Sequence, residues 1–180
     1  MINIIHIVKI INYLESVLVI LGLDPGYATI GYGVIEKTEK GLRAVDYGVI
    51  TTPPHETIAV RLAMIDEAMT AIMNKFRPDS VSIEELFFNT NITTGIKVAH
   101  ARGVMVLNAV KLCGNLYEYT PLQIKQALTG NGRATKQQME YMVKMVLRLA
   151  ITPKPDDAAD ALAAAICHAN MSGATRREVK

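Results

Sequence analysis

The chain has 180 residues and is 50% hydrophobic, which is enough for one globular domain with a core and too little for two. Its two cysteines, Cys113 and Cys167, exclude a disulfide framework and predict buried free thiols in a reducing compartment. The formal net charge is only +2, yet residues 86–155 carry nine Lys and Arg against two acids. That imbalance suggests a polyanion partner, although solvated helix faces would have the same composition.

The N-terminal segment, residues 1–16, is apolar but is interrupted by His6, Lys9 and Glu15. No small-residue cleavage site follows it, so the pattern is not that of a signal peptide. No apolar run in the chain reaches the length that spans a membrane.

Hydrophobic periodicity and turn residues predict five strands and five helices. The strands are expected at 18–23, 29–37, 42–52, 80–87 and 116–119, and the helices at 56–76, 93–113, 121–128, 136–149 and 156–171. The first three strands follow one another directly and should be antiparallel, whereas the later ones arrive through helical crossovers and should be parallel. This order predicts an α/β fold with a mixed five-stranded sheet flanked by helices.

Four carboxylate positions stand out: Asp24, Glu84 beside Glu85, Asp157 and Asp160. Taken singly, most have an ordinary explanation, as a turn former, an exposed strand residue or a helix cap. Together they end two strands and begin a helix, and such ends can meet at one sheet edge. Buried carboxylates that meet there repel one another unless a divalent cation joins them, and oxygen ligands favour Mg²⁺ or Mn²⁺.

Five motifs, in order and spacing, resemble the RuvC family of bacterial Holliday-junction resolvases. They are LGLDPGYATIGYGVIE, VSIEELFF, HARGVMVLNAV, YTPLQIKQALTGNGRATKQQM and KPDDAADALAAAICH. The match runs from about Leu18 to His168. The first motif alone is weak, because a strand ending in D-x-G also occurs in the actin and sugar-kinase superfamily; the five together are specific.

The resemblance implies an RNase H-like fold, a homodimer and a cytoplasmic protein of recombination and repair. It implies paired, symmetric nicking of four-way DNA junctions with two Mg²⁺ ions per active site, for which Mn²⁺ can substitute. It also implies a partnership with the branch-migration motor formed by RuvA and RuvB.

The family's four acidic positions fall on Asp24, Glu84, Asp157 and Asp160, which the resemblance makes both catalytic and metal-binding. Asp24 would bridge both metals, Glu84 and Asp160 would each hold one, and Asp157 would complete the set. The V-x-I-E motif selects Glu84 over Glu85, and strand alternation sends those two side chains to opposite faces. The D-A-A-D spacing selects Asp157, which leaves Asp156 as the expected N-cap.

Four residues are candidates for DNA contact. Lys125 and Lys136 fall where the family has lysines facing DNA, and Arg133 in the loop GNGR is a further candidate for the backbone. Phe87 aligns with an aromatic that stacks on an unpaired base. The alternatives are solvated surface cations and a ring packed in the core.

Three regions are expected along the chain. Residues 1–16 have no counterpart in the family, and Val17 falls where the initiator Met would sit, so we expect a start-site artefact there. Residues 17–172 form the nuclease domain, with a dimer interface on the small-residue helix 93–113 unless that helix only packs inside, and residues 173–180 form a basic tail. The competing functions are a junction-binding protein without cleavage and a phosphate-transferring relative of the actin and sugar-kinase superfamily.

Overall fold

The computed structural model describes residues 17–86 and 92–171, which form an α/β domain. Its strands are β1 (Leu18–Asp24), β2 (Thr29–Thr38), β3 (Gly41–Thr51), β4 (Ser80–Glu84) and β5 (Leu116–Tyr119). Its helices are α1 (Ile58–Phe76), α2 (Ile92–Leu112), α3 (Pro121–Thr129), α4 (Lys136–Val146) and α5 (Asp156–Met171).

The strands form one mixed sheet in the order β3-β2-β1-β4-β5. The pairs β1–β2 and β2–β3 are antiparallel, whereas β1–β4 and β4–β5 are parallel, which confirms the predicted arrangement. In the parallel pair Leu23 lies beside Ile83. The next residue of each strand, Asp24 and Glu84, therefore comes at the same end of two adjacent strands.

Both faces of the sheet are covered by helices. One face packs against α1 and α2 through residues such as Leu21, Leu23 and Met69, and the other packs against α3, α4 and α5. Because strand side chains alternate, Ile20, Gly22 and Asp24 share the α5 face.

Helix α5 lies unusually close to the sheet because glycines form the surface beneath it. A Cβ atom on Gly22 would lie 2.0 Å from the backbone oxygen of Ala161, and one on Gly33 would lie 2.8 Å from the Leu162 side chain. The helix contributes many buried alanines, so small residues face small residues across this interface. The backbone contact fixes the height and position of α5 above the strands.

Three predicted boundaries were wrong by a few residues, and a local contact explains two of them. Helix α1 begins at Ile58 rather than at residue 56, because the Thr57 hydroxyl caps it by accepting from the Val60 amide. Helix α4 ends at Val146, and Arg148 then adopts a φ of 53° while the Leu149 amide donates to the Lys144 carbonyl. Strand β4 ends at Glu84 instead of continuing to residue 87.

Several predictions fall outside the part of the chain that the structure describes, which begins at Val17. These are the N-terminal segment 1–16, the stacking residue Phe87 and the tail 173–180.

Cys113 and Cys167 are both free thiols, but only Cys167 is buried, so the expectation for Cys113 was wrong. Across the described ranges, no helix combines the length and the hydrophobicity needed to cross a bilayer.

Candidate active site at the edge of the sheet

Two of the predicted carboxylates lie side by side where β1 and β4 end. Gly22 and Ser82 both face α5, and the Ser82 hydroxyl donates to the Ala164 carbonyl at 2.7 Å. Asp24 and Glu84 each lie two residues further along the same strands, so alternation places them on that face as well.

The other two carboxylates come from the first turn of α5. A Cβ atom on Gly31, which pairs with Asp24 in the sheet, would lie 1.9 Å from the backbone oxygen of Asp157 and 3.2 Å from the Asp24 Cβ atom. The start of α5 therefore sits directly over the ends of β1 and β2. Asp157 and Asp160, three residues apart on the helix, are brought to the same edge as Asp24 and Glu84.

The carboxylates are close enough to influence each other's ionisation. Burial raises the pKa of Asp24 to about 7, with further contributions from the negative charges of Glu84, Asp160 and Asp157. Burial also raises the pKa of Glu84, again with a contribution from Asp160, and it raises the pKa of Asp160. Ionised carboxylates in such a cluster repel one another, and a bound cation would reduce that repulsion.

The raised pKa of Asp24 predicts a pH-dependent stability in the absence of divalent cations. Between the ordinary value of 3.8 and the native value of about 7, the native state binds more protons than the unfolded state. The free energy of unfolding should therefore fall as pH rises through this window, by up to about 1.4 kcal/mol per pH unit. Asp24→Asn should flatten that dependence and be more stable than wild type at pH 8.

Urea unfolding in EDTA at pH 4, 6 and 8 measures this effect, and the difference between the two proteins isolates Asp24 from other titrating groups. Parallel pH profiles for wild type and variant would contradict the assignment.

A cleft of about 270 Å³ opens beside these carboxylates. Glu84 and Asp160 line it together with Lys125 and Lys136, and apolar side chains complete its wall. Lys136 is the first residue of α4, which Thr135 caps, and its ammonium lies 3.6 Å from the Asp160 carboxylate. The cleft thus places two lysines, which can bind anions such as phosphate, next to two carboxylates.

Glu85 points away from this cleft, as alternation predicts. It lines a separate cavity on the α2 side of the sheet with Arg102 and Glu118, which form an ion pair. Arg133 lies exposed in the turn between α3 and α4, outside the residues that line the cleft, and its amide donates to the Asn131 side chain.

The donor chemistry of the site fits a hard divalent cation. Within residues 17–86 and 92–171, no three His, Cys, Asp or Glu side chains are arranged so that they could hold a metal ion as they stand. Four carboxylates nevertheless lie near one another, and the charge on Asp24 is suppressed by burial and by its three acidic neighbours. Asp24, Glu84, Asp157 and Asp160 are the residues that would hold Mg²⁺ or Mn²⁺.

The contacts of Asp156 were not predicted. Asp156 was expected to cap the last helix, but it is the first helical residue of α5, and its carboxylate contacts the ammonium groups of Lys136 and Lys154. Lys154 lies two residues away in the sequence, whereas the contact with Lys136 joins two separate elements.

Comparison with known proteins gives a consistent family match. The family model described as crossover junction endodeoxyribonuclease RuvC matches residues 20–168. The crossover junction endodeoxyribonuclease RuvC of Alkaliphilus oremlandii is 50% identical over 158 residues, covering 88% of this chain and 96% of that protein.

Two solved structures of RuvC from Thermus thermophilus extend the match to three dimensions. The first is 34% identical with a TM-score of 0.83, and the alignment covers 90% of this chain and 100% of the other. The second, in complex with a Holliday junction substrate, is 32% identical with a TM-score of 0.81 over 90% of this chain and 99% of the other. The predicted RNase H-like fold is confirmed by this likeness.

Proposed function

This chain belongs to the RuvC family of crossover junction endodeoxyribonucleases, and we propose that it resolves four-way DNA junctions by two symmetric, Mg²⁺-dependent nicks. As a member of this family, the chain is a metal-dependent nuclease that hydrolyses phosphodiester bonds. The observation that carries the proposal is a group of four interacting carboxylates at the edge of the sheet, two of which line a cleft together with two lysines.

In this proposal the four carboxylates would hold two Mg²⁺ ions, for which Mn²⁺ could substitute. Bound divalent ions supply a nucleophilic water at neutral pH and stabilise charge on the leaving oxygen. The fold positions the four carboxylates relative to one another. Asp24 and Glu84 end adjacent strands, and Asp157 and Asp160 lie at the start of a helix that packs directly on glycines of the sheet. Lys125 and Lys136 hold the DNA phosphates along the cleft, and Arg133 contacts the backbone further out.

A homodimer suits two symmetric nicks, and α2 offers a face for it. Ile96, Leu107 and Val110 are each about half exposed, and nothing lies within 4 Å of a Cβ atom built on Gly103. Their spacing places all four on one side of the helix. We assign this apolar stripe to contact with a second copy of the chain, which would present two identical sites to one junction.

The cellular setting follows the same proposal. Both cysteines are free thiols, which is the state expected in the cytoplasm. Branch migration by RuvA and RuvB would supply the junction that this enzyme cuts, and Phe87 would stack on a base at the junction centre.

The test of function is nicking of a synthetic four-way junction in Mg²⁺, with a linear duplex of the same sequences as control. We expect paired cuts in the junction and little cutting of the duplex. Equal cutting of both substrates would contradict junction selectivity. Tight junction binding without any cutting would favour the alternative of a binding protein, against which the presence of all four acids argues.

Lys125→Ala should weaken binding to every junction sequence to a similar degree. Lys125 lines the cleft, so its loss removes one phosphate contact and should reduce the slope of log affinity against log salt by about one. Fluorescence anisotropy over a salt series measures the slope. Lys40→Ala is the control, because Lys40 is exposed in the β2–β3 turn at the opposite edge of the sheet. An unchanged slope for Lys125→Ala would show that Lys125 makes no phosphate contact.

A further inference from the structure

A chain of ion pairs runs from the surface to the active-site cleft. Lys154 lies 3.2 Å from Glu140 and 2.6 Å from Asp156. Asp156 in turn lies 3.1 Å from the ammonium of Lys136, which also lies 3.6 Å from Asp160. The ammonium of Lys136 is therefore shared between a carboxylate of the proposed metal site and a carboxylate beside it.

The elements that carry this network restrict how far its members move. Lys136 begins α4, where Thr135 and Gln138 form a reciprocal capping box that defines the position of its backbone. Asp156 begins α5, and Lys154 ties it to Glu140, which is only 15% exposed. Asp156 is thus an anion at the start of α5 that contacts both Lys154 and the ammonium of Lys136.

Lys136 and a divalent cation compete for Asp160. An ammonium about 4 Å from a carboxylate repels a cation that approaches the same carboxylate, and the repulsion is larger beside a protein surface than in bulk water. A second carboxylate that holds the ammonium lowers this repulsion without removing the lysine from the cleft. Asp156 is such a second carboxylate, because it lies 3.1 Å from the Lys136 ammonium.

We propose that Asp156 is a positioning residue that draws the Lys136 ammonium away from Asp160, leaving Asp160 free for the metal and Lys136 beside the DNA phosphate. This inference rests on the proposed metal site. It adds a residue outside the four carboxylates, acting through Lys136 and not on the metal or the substrate.

Binding of Mn²⁺ to the full chain without DNA tests the inference, measured by the loss of the free-ion signal in electron paramagnetic resonance. Asp156→Asn should weaken Mn²⁺ binding by about threefold, because Lys136 then pairs with Asp160 alone. Lys136→Met should strengthen binding by a similar factor. Asp156→Glu keeps the carboxylate and should bind Mn²⁺ as wild type does.

The double variant separates positioning from a simple charge effect. If Asp156 acts through Lys136, then Asp156→Asn has no further effect once Lys136 is Met, and the double variant matches Lys136→Met. Glu39→Gln, an exposed charge loss in the β2–β3 turn, should leave binding unchanged. Because Asp156 and Lys136 are both about half exposed, we expect folded variants with wild-type urea midpoints.

Two results would overturn the inference, and they differ in what else they refute. Weakening by Asp156→Asn that persists in the Lys136→Met background would show that Asp156 acts by its charge alone, and the proposed metal site would stand. No Mn²⁺ binding by wild type would refute the metal site itself, and this inference with it.

Discussion

Asp24→Asn is expected to bind four-way junctions at least as tightly as wild type and to cut them at least about 1,000-fold more slowly. Asp24 lies between Glu84 on the next strand and Asp157 and Asp160 on α5, and its ionisation is coupled to all three. A neutral amide of the same shape keeps the packing but removes the negative charge that would bridge two cations. Loss of that charge also lowers repulsion of the DNA, so binding should not suffer.

Single-turnover cutting of a labelled junction in Mg²⁺ measures the rate, and a mobility-shift titration in Ca²⁺ measures binding. Cutting by Asp24→Asn at the wild-type rate would refute the assignment of the metal site.

A matched pair of variants sharpens this test by using strand alternation. Glu84→Gln and Glu85→Gln each remove one carboxylate from adjacent positions. Glu84 lines the cleft beside Asp160, whereas Glu85 lines the cavity on the opposite side of the sheet. Only Glu84→Gln should abolish cutting. Loss of cutting in Glu85→Gln with normal cutting in Glu84→Gln would contradict the assignment of Glu84 to the active site.

Gly31→Ala is expected to lower the free energy of unfolding by about 3 kcal/mol and to abolish cutting. Its Cβ atom would lie 1.9 Å from the backbone oxygen of Asp157, and a backbone atom cannot move aside by changing rotamer. The start of α5 must therefore lift from the sheet, which moves Asp157 and Asp160 away from Asp24. Stability and activity should be lost together, although Gly31 carries no functional group.

Gly103→Ala is the control for the stability part of this prediction only, because Gly103 also belongs to the apolar stripe proposed to contact a second copy. Nothing lies within 4 Å of a Cβ atom at Gly103, and this residue lies inside α2. Alanine there should raise stability by about 0.5–1 kcal/mol through helix propensity. Urea unfolding at constant slope measures both changes. Equal changes in the free energy of unfolding for the two substitutions would show that α5 does not pack closely against Gly31.

The sequence by itself determined the elements and their order. A continuous apolar run marks β1, alternation and turn residues mark β2 and β3, and periodicity marks the helices, because each of these signals lies within one segment. The mixed sheet followed from connection lengths, since strands joined by hairpins are antiparallel and strands joined through helices are parallel. Alternation also placed Glu84 and Glu85 on opposite faces, and the V-x-I-E motif selected Glu84.

Helix and strand ends were less accurate because they depend on one or two contacts. Thr57 decides the start of α1 through a single hydroxyl, and the left-handed conformation of Arg148 decides how α4 ends. Such contacts do not alter the periodicity of the neighbouring residues, so patterns alone misplace the ends by a few positions.

Only the tertiary structure decided how the site is assembled. Three glycines of the first two strands had no distinguishing feature in the sequence: Gly22, Gly31 and Gly33. In the structure α5, which lies more than 120 residues further along the chain, packs directly against them. The raised pKa of Asp24 and the sharing of Lys136 between Asp156 and Asp160 likewise depend on distances between separate elements. Local patterns fix which residues are helix or strand, but burial and charge at the site arise from packing between distant segments.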